Sequence, residues 1–143
     1  MHILLVEDSS NGPSSARLHL EKQGLTLDCS YSLEQARERI LYTTYDGILL
    51  DLELPDSSGM ATLVEMRECC QGIPIIVYNS KNDRELALEV VKQGAQDYLV
   101  KGVVPVTSVV RCLRYAAERN KVELELHRGE ERLKTILDNS YDA

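Results

Sequence analysis

Five polar residues stand directly after short apolar segments of the chain, and their side chains suit metal and phosphoryl chemistry. They are Glu7, Asp8, Asp51, Asn79 and Lys101. Three carboxylates within about 5 Å of one another repel by roughly 3 kcal/mol per pair at an effective dielectric of about 20. Such a group must bind protons, a cation or both. Oxygen ligands with room for water favour Mg²⁺ or Mn²⁺, and a carboxylate beside a metal and a lysine is a competent nucleophile toward phosphorus.

Asp51 is the best-placed nucleophile, because it ends an apolar run typical of a strand buried on both faces. That run is Gly47–Leu50, and its continuous hydrophobicity indicates a central parallel strand. Pro55 and the Asp-Ser-Ser-Gly sequence that follows it cannot continue such a strand, since proline has no N–H and the other residues favour turns. Asp51 is therefore predicted at the mouth of a strand-to-helix loop, where open α/β sheets bind ligands.

The whole chain alternates strand and helix patterns five times. Apolar or β-rich segments cover residues 2–6, 25–29, 47–50, 74–78 and 97–100, with helical patterns over 15–23, from 32 onwards, 59–70, 84–93 and 105–134. This alternation predicts a parallel sheet with helices on both faces and right-handed crossovers. We expect an α/β fold with a flavodoxin-like, doubly wound five-stranded sheet of order 2-1-3-4-5 and five helices, the last one extended. In that order the five polar side chains converge at one edge of the sheet.

Composition limits the classes of partner. The chain has 143 residues, a net charge of −7 and 43% apolar residues, which allows one domain with a short appendage. The acidic balance argues against a nucleic-acid or anionic-membrane surface. Its apolar runs are too short for a membrane span, and because the first strand begins at once we expect no signal peptide. We therefore expect a cytoplasmic protein with neither nucleic-acid nor membrane partners.

The ordered landmarks resemble the receiver domain of bacterial two-component response regulators. These landmarks are Glu7-Asp8, Asp51 with the Leu-Pro-Asp-Ser-Ser-Gly sequence after it, Asn79-Ser80, and the segment 94–102 that contains Lys101. The resemblance covers about residues 1–118. It implies a signalling module that takes a phosphoryl group from a histidine kinase or phosphotransfer protein and turns over no substrate.

The resemblance also implies a role for each matching residue. Asp51 would be the phosphoacceptor, and Lys101 would pair with a phosphoryl oxygen. The Mg²⁺ ligands would be Glu7, Asp8, Asp51 and the backbone carbonyl of Glu53. Tyr98 matches the aromatic switch that turns inward when the domain is phosphorylated.

Two positions depart from the family pattern. The family has Thr or Ser where this chain has Asn79; an amide can also donate a hydrogen bond to a phosphoryl oxygen, but its reach and branching differ. Ser80, the next residue, is a candidate substitute. Gly102 follows the lysine where many members have a cis proline, and a non-proline cis bond costs about 3–4 kcal/mol, so we do not expect one. Phosphoacceptance should survive both changes more easily than the usual switch.

The C-terminal part of the chain reads as a signalling helix. Residues 119–137 are charged and helix-forming, and Leu126, Leu133 and Ile136 have coiled-coil-like spacing,. A solvated single helix and a parallel homodimer through this helix both fit. Residues 138–143 resemble the start of a PAS domain, which implies a longer parent protein, with a PAS domain followed by a histidine kinase or a cyclic-dinucleotide enzyme.

Two other functions remain open from the sequence. A phosphorylation-independent receiver that binds proteins is suggested by Asn79. A Mg²⁺-dependent phosphatase of the haloacid dehalogenase type also uses a strand-terminal Asp. That family has Asp-x-Asp after its strand, whereas Glu53 occupies the third position here, and it does not account for Glu7 and Asp8. Turnover of para-nitrophenyl phosphate would favour the phosphatase.

Overall fold

The computed structural model describes residues 1–8 and 15–141. Its elements, in chain order, are β1 (His2–Val6), α1 (Ser15–Lys22), β2 (Thr26–Ser30), α2 (Leu33–Tyr42), β3 (Gly47–Leu50), β4 (Glu53–Leu54), β5 (Ser57–Ser58), α3 (Met60–Cys69), β6 (Ile75–Asn79), α4 (Arg84–Lys92), β7 (Asp97–Val100) and α5 (Val106–Tyr141). The predicted strands and helices are all present with ends within one residue, except that the last helix was predicted to end near residue 134 and continues to Tyr141.

Five of the strands form one parallel sheet of order β2-β1-β3-β6-β7. Because β6 and β7 are the fourth and fifth strands of this sheet, the predicted flavodoxin-like order is confirmed. Strands β1 and β3 are central neighbours, and Val6 pairs with Leu50 at their carboxyl ends. This register places the residues after the two strands, Glu7 and Asp51, beside each other.

Alternate residues of the central strands face two separate cores. Leu4, Val6 and Leu50 pack into the core that α2 and α3 cover, whereas Leu5 and Leu49 pack into the core that α1 and α5 cover. All four residues of β3 are buried. A strand covered on both faces has no solvent side, and this explains why its sequence is apolar throughout.

A short antiparallel hairpin, β4 with β5, lies outside the main sheet and was not predicted. Pro55 and Asp56 connect its strands. It leads into α3 through Gly59, whose φ of +65° is a left-handed conformation that favours glycine. The hairpin occupies the loop directly after Asp51, so it sets the surroundings of that carboxylate.

Helix α5 has 36 residues and runs without a break through the predicted domain boundaries at 118 and 137. Val109, Val110 and Leu113 are buried against the sheet, whereas Val122 and Leu126 are 51% and 62% exposed. The predicted PAS start extends to residues 142 and 143, which lie outside the described residues. None of the described helices combines the length and the apolar character that a bilayer crossing requires.

Candidate functional site

Lys101 joins the two carboxylates that follow the central strands. Its Nζ donates to Asp51 Oδ2 at 3.2 Å and to Glu7 Oε2 at 3.3 Å. Residues 50 and 94 positions away in sequence thus meet because the carboxyl ends of β1, β3 and β7 lie on one edge of the sheet. One ammonium is shared by two carboxylates, and the trio keeps a net negative charge that suits a further cation.

This trio is largely withdrawn from water. The side chains of Glu7, Asp51 and Lys101 are 6%, 15% and 23% exposed. The Lys101 Nζ also lies 5.5 Å from the ring centroid of Tyr78, within cation–π range. Burial raises the pKa of the Tyr78 hydroxyl, and the Lys101 charge opposes that rise. Low exposure strengthens each charge interaction in the trio relative to a surface pair.

The Asp51 backbone and side chain are both anchored. Its N–H donates to the carbonyl of Val6 at 2.9 Å, and its Oδ1 accepts from the N–H of Glu53 at 3.0 Å. The next carbonyl, that of Leu52, accepts from the N–H of Gly59 and from the buried Thr62 hydroxyl. Asp51 is thus held at the base of the hairpin, with one oxygen toward Lys101 and the other toward Glu53.

Asn79 and Tyr98 contact each other directly. Asn79, only 2% exposed, donates from Nδ2 to the Tyr98 hydroxyl at 3.4 Å. The Tyr98 hydroxyl in turn donates to the backbone carbonyl of Lys81, and its ring is partly buried against the core. Ser80 is exposed. The structure therefore ties the predicted switch tyrosine to Asn79 rather than to Ser80.

The predicted metal ligands are brought together only in part. Glu7 and Asp51 meet at Lys101, and the Glu53 backbone contacts Asp51 through its N–H at 3.0 Å, whereas Asp8 is exposed. In residues 1–8 and 15–141 no group of three or more His, Cys, Asp or Glu side chains is arranged to hold a metal ion. The donors at this edge are nonetheless all oxygens, and they already surround one cationic group. Their chemistry fits a hard divalent ion.

Asp56, which the sequence indicated only as a turn residue, makes a long-range contact near this site. Its carboxylate oxygens accept from the N–H groups of Leu33 and Glu34, at 2.9 and 3.1 Å. Although burial acts to raise it, the pKa of Asp56 is lowered overall by these hydrogen bonds. The sequence predicted where α2 begins, and Ser32 there bonds to the N–H of Gln35. It did not indicate that Asp56 would contact this helix start.

Comparison with known families identifies the kind of domain that carries this site. Residues 3–111 match the family model described as the response regulator receiver domain. The chain belongs to that family. The family assignment and the observed fold agree with the resemblance drawn from the landmarks, and the site lies at the same edge of the receiver sheet that those landmarks predicted.

Curated relatives of this receiver domain include a response regulator and a transcriptional regulatory protein. It is 32% identical over 126 residues to response regulator ArlR of Staphylococcus saprophyticus, a match covering 86% of this chain and 57% of ArlR. It is 34% identical over 101 residues to transcriptional regulatory protein QseB of Escherichia coli O157:H7, covering 71% and 46%. The chain thus spans about half the length of the curated relatives it matches.

Solved receiver domains superpose on most of the chain. The BeF3-activated N-terminal receiver domain of Klebsiella pneumoniae RstA is 28% identical, with a TM-score of 0.69 over 82% of this chain and 98% of that chain. A CheY-like receiver domain protein from Methanospirillum hungatei is 20% identical, with a TM-score of 0.73 over 85% and 97%. The second likeness shows the fold alone.

Proposed function

We propose that this receiver domain accepts a phosphoryl group on Asp51 from a histidine kinase or a phosphotransfer protein. The observation that carries the proposal is the contact of Asp51 Oδ2 with the Lys101 ammonium, 3.2 Å, at the carboxyl end of a central buried strand. A carboxylate fixed beside a cation, at the ligand-binding edge of an α/β sheet, is suited to receive a phosphoryl group.

In the transfer step, Asp51 Oδ2 forms a bond to phosphorus while the phosphorus–nitrogen bond of a phosphohistidine breaks. The imidazole nitrogen keeps the bonding electron pair and takes a proton from solvent. Lys101 then exchanges its contact with Asp51 for one with a phosphoryl oxygen, while Glu7 keeps the ammonium in place. Water later attacks the phosphorus, releases phosphate and restores the carboxylate, so no external substrate is turned over. Positioning and charge neutralisation provide most of the catalysis in such transfers.

Mg²⁺, or Mn²⁺, is part of this proposal. Glu7, Asp8, Asp51 and the backbone carbonyl of Glu53 would hold the ion. When bound, it neutralises charge that develops on the phosphoryl oxygens. The all-oxygen donors and the negative balance of the Glu7, Asp51 and Lys101 trio support this assignment.

Asn79 and Tyr98 are the proposed switch. A phosphoryl oxygen near Lys101 would compete with the Tyr98 hydroxyl for the Asn79 amide, since that amide now donates to Tyr98 at 3.4 Å. If Asn79 turned to the phosphoryl group, the Tyr98 hydroxyl would lose this hydrogen bond and keep the one that it donates to the Lys81 carbonyl. Ser80, exposed next to Asn79, is a second candidate donor to the phosphoryl group.

We further propose that α5 carries the signal to an output domain, with a domain boundary near residue 118, a linker to about 137 and a PAS domain beginning there. The exposed Val122 and Leu126 on α5 would form part of a parallel homodimer seam. Sedimentation velocity at increasing concentration tests the seam, and a monomer at every concentration would contradict it. A cytoplasmic location belongs to the same proposal, and fractionation of cells that express the parent protein tests it.

The proposal is tested by intact mass after incubation with acetyl phosphate and Mg²⁺. We expect one phosphoryl group on the wild-type protein and none on Asp51→Asn. Asp46→Asn, which changes a carboxylate at the opposite edge of the sheet, where it accepts from the N–H of His2, is the matched control and should still gain the group. An unmodified wild-type protein would favour the alternative of a phosphorylation-independent protein-binding module.

A further inference from the structure

Asp56 links the loop after Asp51 to a helix far away in sequence. It lies in the turn between β4 and β5, and its two oxygens accept from the N–H groups of Leu33 at 2.9 Å and Glu34 at 3.1 Å. The first N–H groups of a helix lack partners within the helix. A carboxylate at this point satisfies two of them and is also stabilised by the helix dipole. The tip of the hairpin is thereby fixed to α2.

The base of the same hairpin is fixed at Asp51. Asp51 Oδ1 accepts from the N–H of Glu53 at 3.0 Å. The Leu52 carbonyl accepts from the N–H of Gly59 at 3.0 Å and from the Thr62 hydroxyl at 2.9 Å. Each strand of the hairpin has only two residues, and so short a hairpin is not stable without outside contacts. Glu53 lies between the two fixed points.

We infer that Asp56 is a positioning residue for the phosphoacceptor site. By fixing the tip of the hairpin to α2, it holds the Glu53 backbone against the Asp51 carboxylate. Helix α2 does not depend on Asp56 as its sole cap, because the Ser32 hydroxyl already accepts from the N–H of Gln35. The expected effect of Asp56 on Mg²⁺ affinity rests on the proposed function, in which the Glu53 carbonyl is a ligand. Its expected effect on the position of the hairpin is independent of that function.

The test compares Asp56→Ala with Asp83→Ala. Asp83 caps α4 by accepting from the N–H of Leu86 at 3.1 Å, so its loss removes a similar helix cap without touching the hairpin. The first measurement is amide hydrogen exchange. In Asp56→Ala we expect exchange at the Glu53 amide to quicken by about tenfold or more, because the Glu53–Asp51 bond opens with the hairpin. In Asp83→Ala the same amide should exchange at the wild-type rate.

The second measurement is the dissociation constant of Mg²⁺ by calorimetry. Loss of an outer contact that orients metal ligands typically weakens affinity by about 10-fold or more, and we expect this for Asp56→Ala but not for Asp83→Ala. Asp56→Asn keeps one acceptor oxygen but turns an NH₂ group toward the other N–H, so it should lie between wild type and Asp56→Ala in both measurements.

If Asp56 did no more than cap α2, the two measurements would give a different result. Both alanine variants would then lower the melting temperature, and neither would change the Glu53 exchange rate; that outcome overturns the inference. If the wild-type protein binds no Mg²⁺, the proposed metal site fails, while the Glu53 exchange rate still decides whether Asp56 holds the hairpin. The two failures are therefore distinguishable.

Discussion

Replacing Lys101 with methionine removes the shared ammonium and leaves Glu7 and Asp51 facing each other. At about 3 Å, each ion contact has a Coulomb energy of roughly 5 kcal/mol at an effective dielectric of about 20, most of which desolvation offsets. Removing one partner of a buried pair costs about 3–5 kcal/mol. Because the three side chains are between 6% and 23% exposed, we expect the lower end, a loss of about 3 kcal/mol in the free energy of unfolding.

Urea denaturation followed by circular dichroism, without divalent ions and at neutral pH, measures this loss. Lys121→Met is the control, since Lys121 is exposed on α5 and such surface changes usually stay within about 0.5 kcal/mol. Adding Asp51→Asn to Lys101→Met should restore part of the stability, because one of the two repelling charges is gone. If Lys101→Met is as stable as the control, or if Asp51→Asn makes it still less stable, the shared-ammonium account of the site is refuted.

Two further predictions concern polar contacts elsewhere. Asn79→Ala removes the amide donor to Tyr98; we expect a loss of about 1 kcal/mol and altered Tyr98 ring signals by NMR, and unchanged signals would contradict the contact. The Tyr45 hydroxyl donates a hydrogen bond of 2.6 Å to Asp28 and thereby lowers the pKa of that carboxyl group. Ionised Asp28 therefore stabilises the fold above its unfolded pKa of about 3.9, and this stabilisation is lost as the pH falls through the lower folded pKa. Tyr45→Phe should therefore flatten the acid side of the stability–pH curve, and an unchanged slope would show that other groups determine it.

Elements buried on two faces could be predicted closely from the sequence. The strand Gly47–Leu50 was predicted to the residue, because a strand between two cores must be apolar throughout. The position of Asp51 followed from the proline and turn residues after it. Five side chains were predicted to converge, and the contact of three of them, Glu7, Asp51 and Lys101, follows from the strand order, which brings the carboxyl ends together.

Contacts between surface elements could not be predicted in the same way. The hydrogen bonds of Asp56 to α2 join residues 22 and 23 positions apart, and no periodicity encodes the partner of a turn residue. Leu41 continues the apolar pattern of α2 but is 76% exposed, whereas Leu33 is 3% exposed. Leu41 lies about 80° around the helix from Leu33 and about 140° from Ala36, so the buried stripe is narrower than the apolar pattern.

Reductive trapping tests the central claim most directly. The receiver domain is incubated with acetyl phosphate and Mg²⁺ and then treated with borohydride, which reduces an aspartyl phosphate to homoserine, and the peptides are sequenced by mass spectrometry. The account predicts homoserine at position 51 and nowhere else. A reduced residue at another carboxylate, such as Glu7 or Asp8, or no reduced residue at all, would contradict the assignment of Asp51 as the phosphoacceptor.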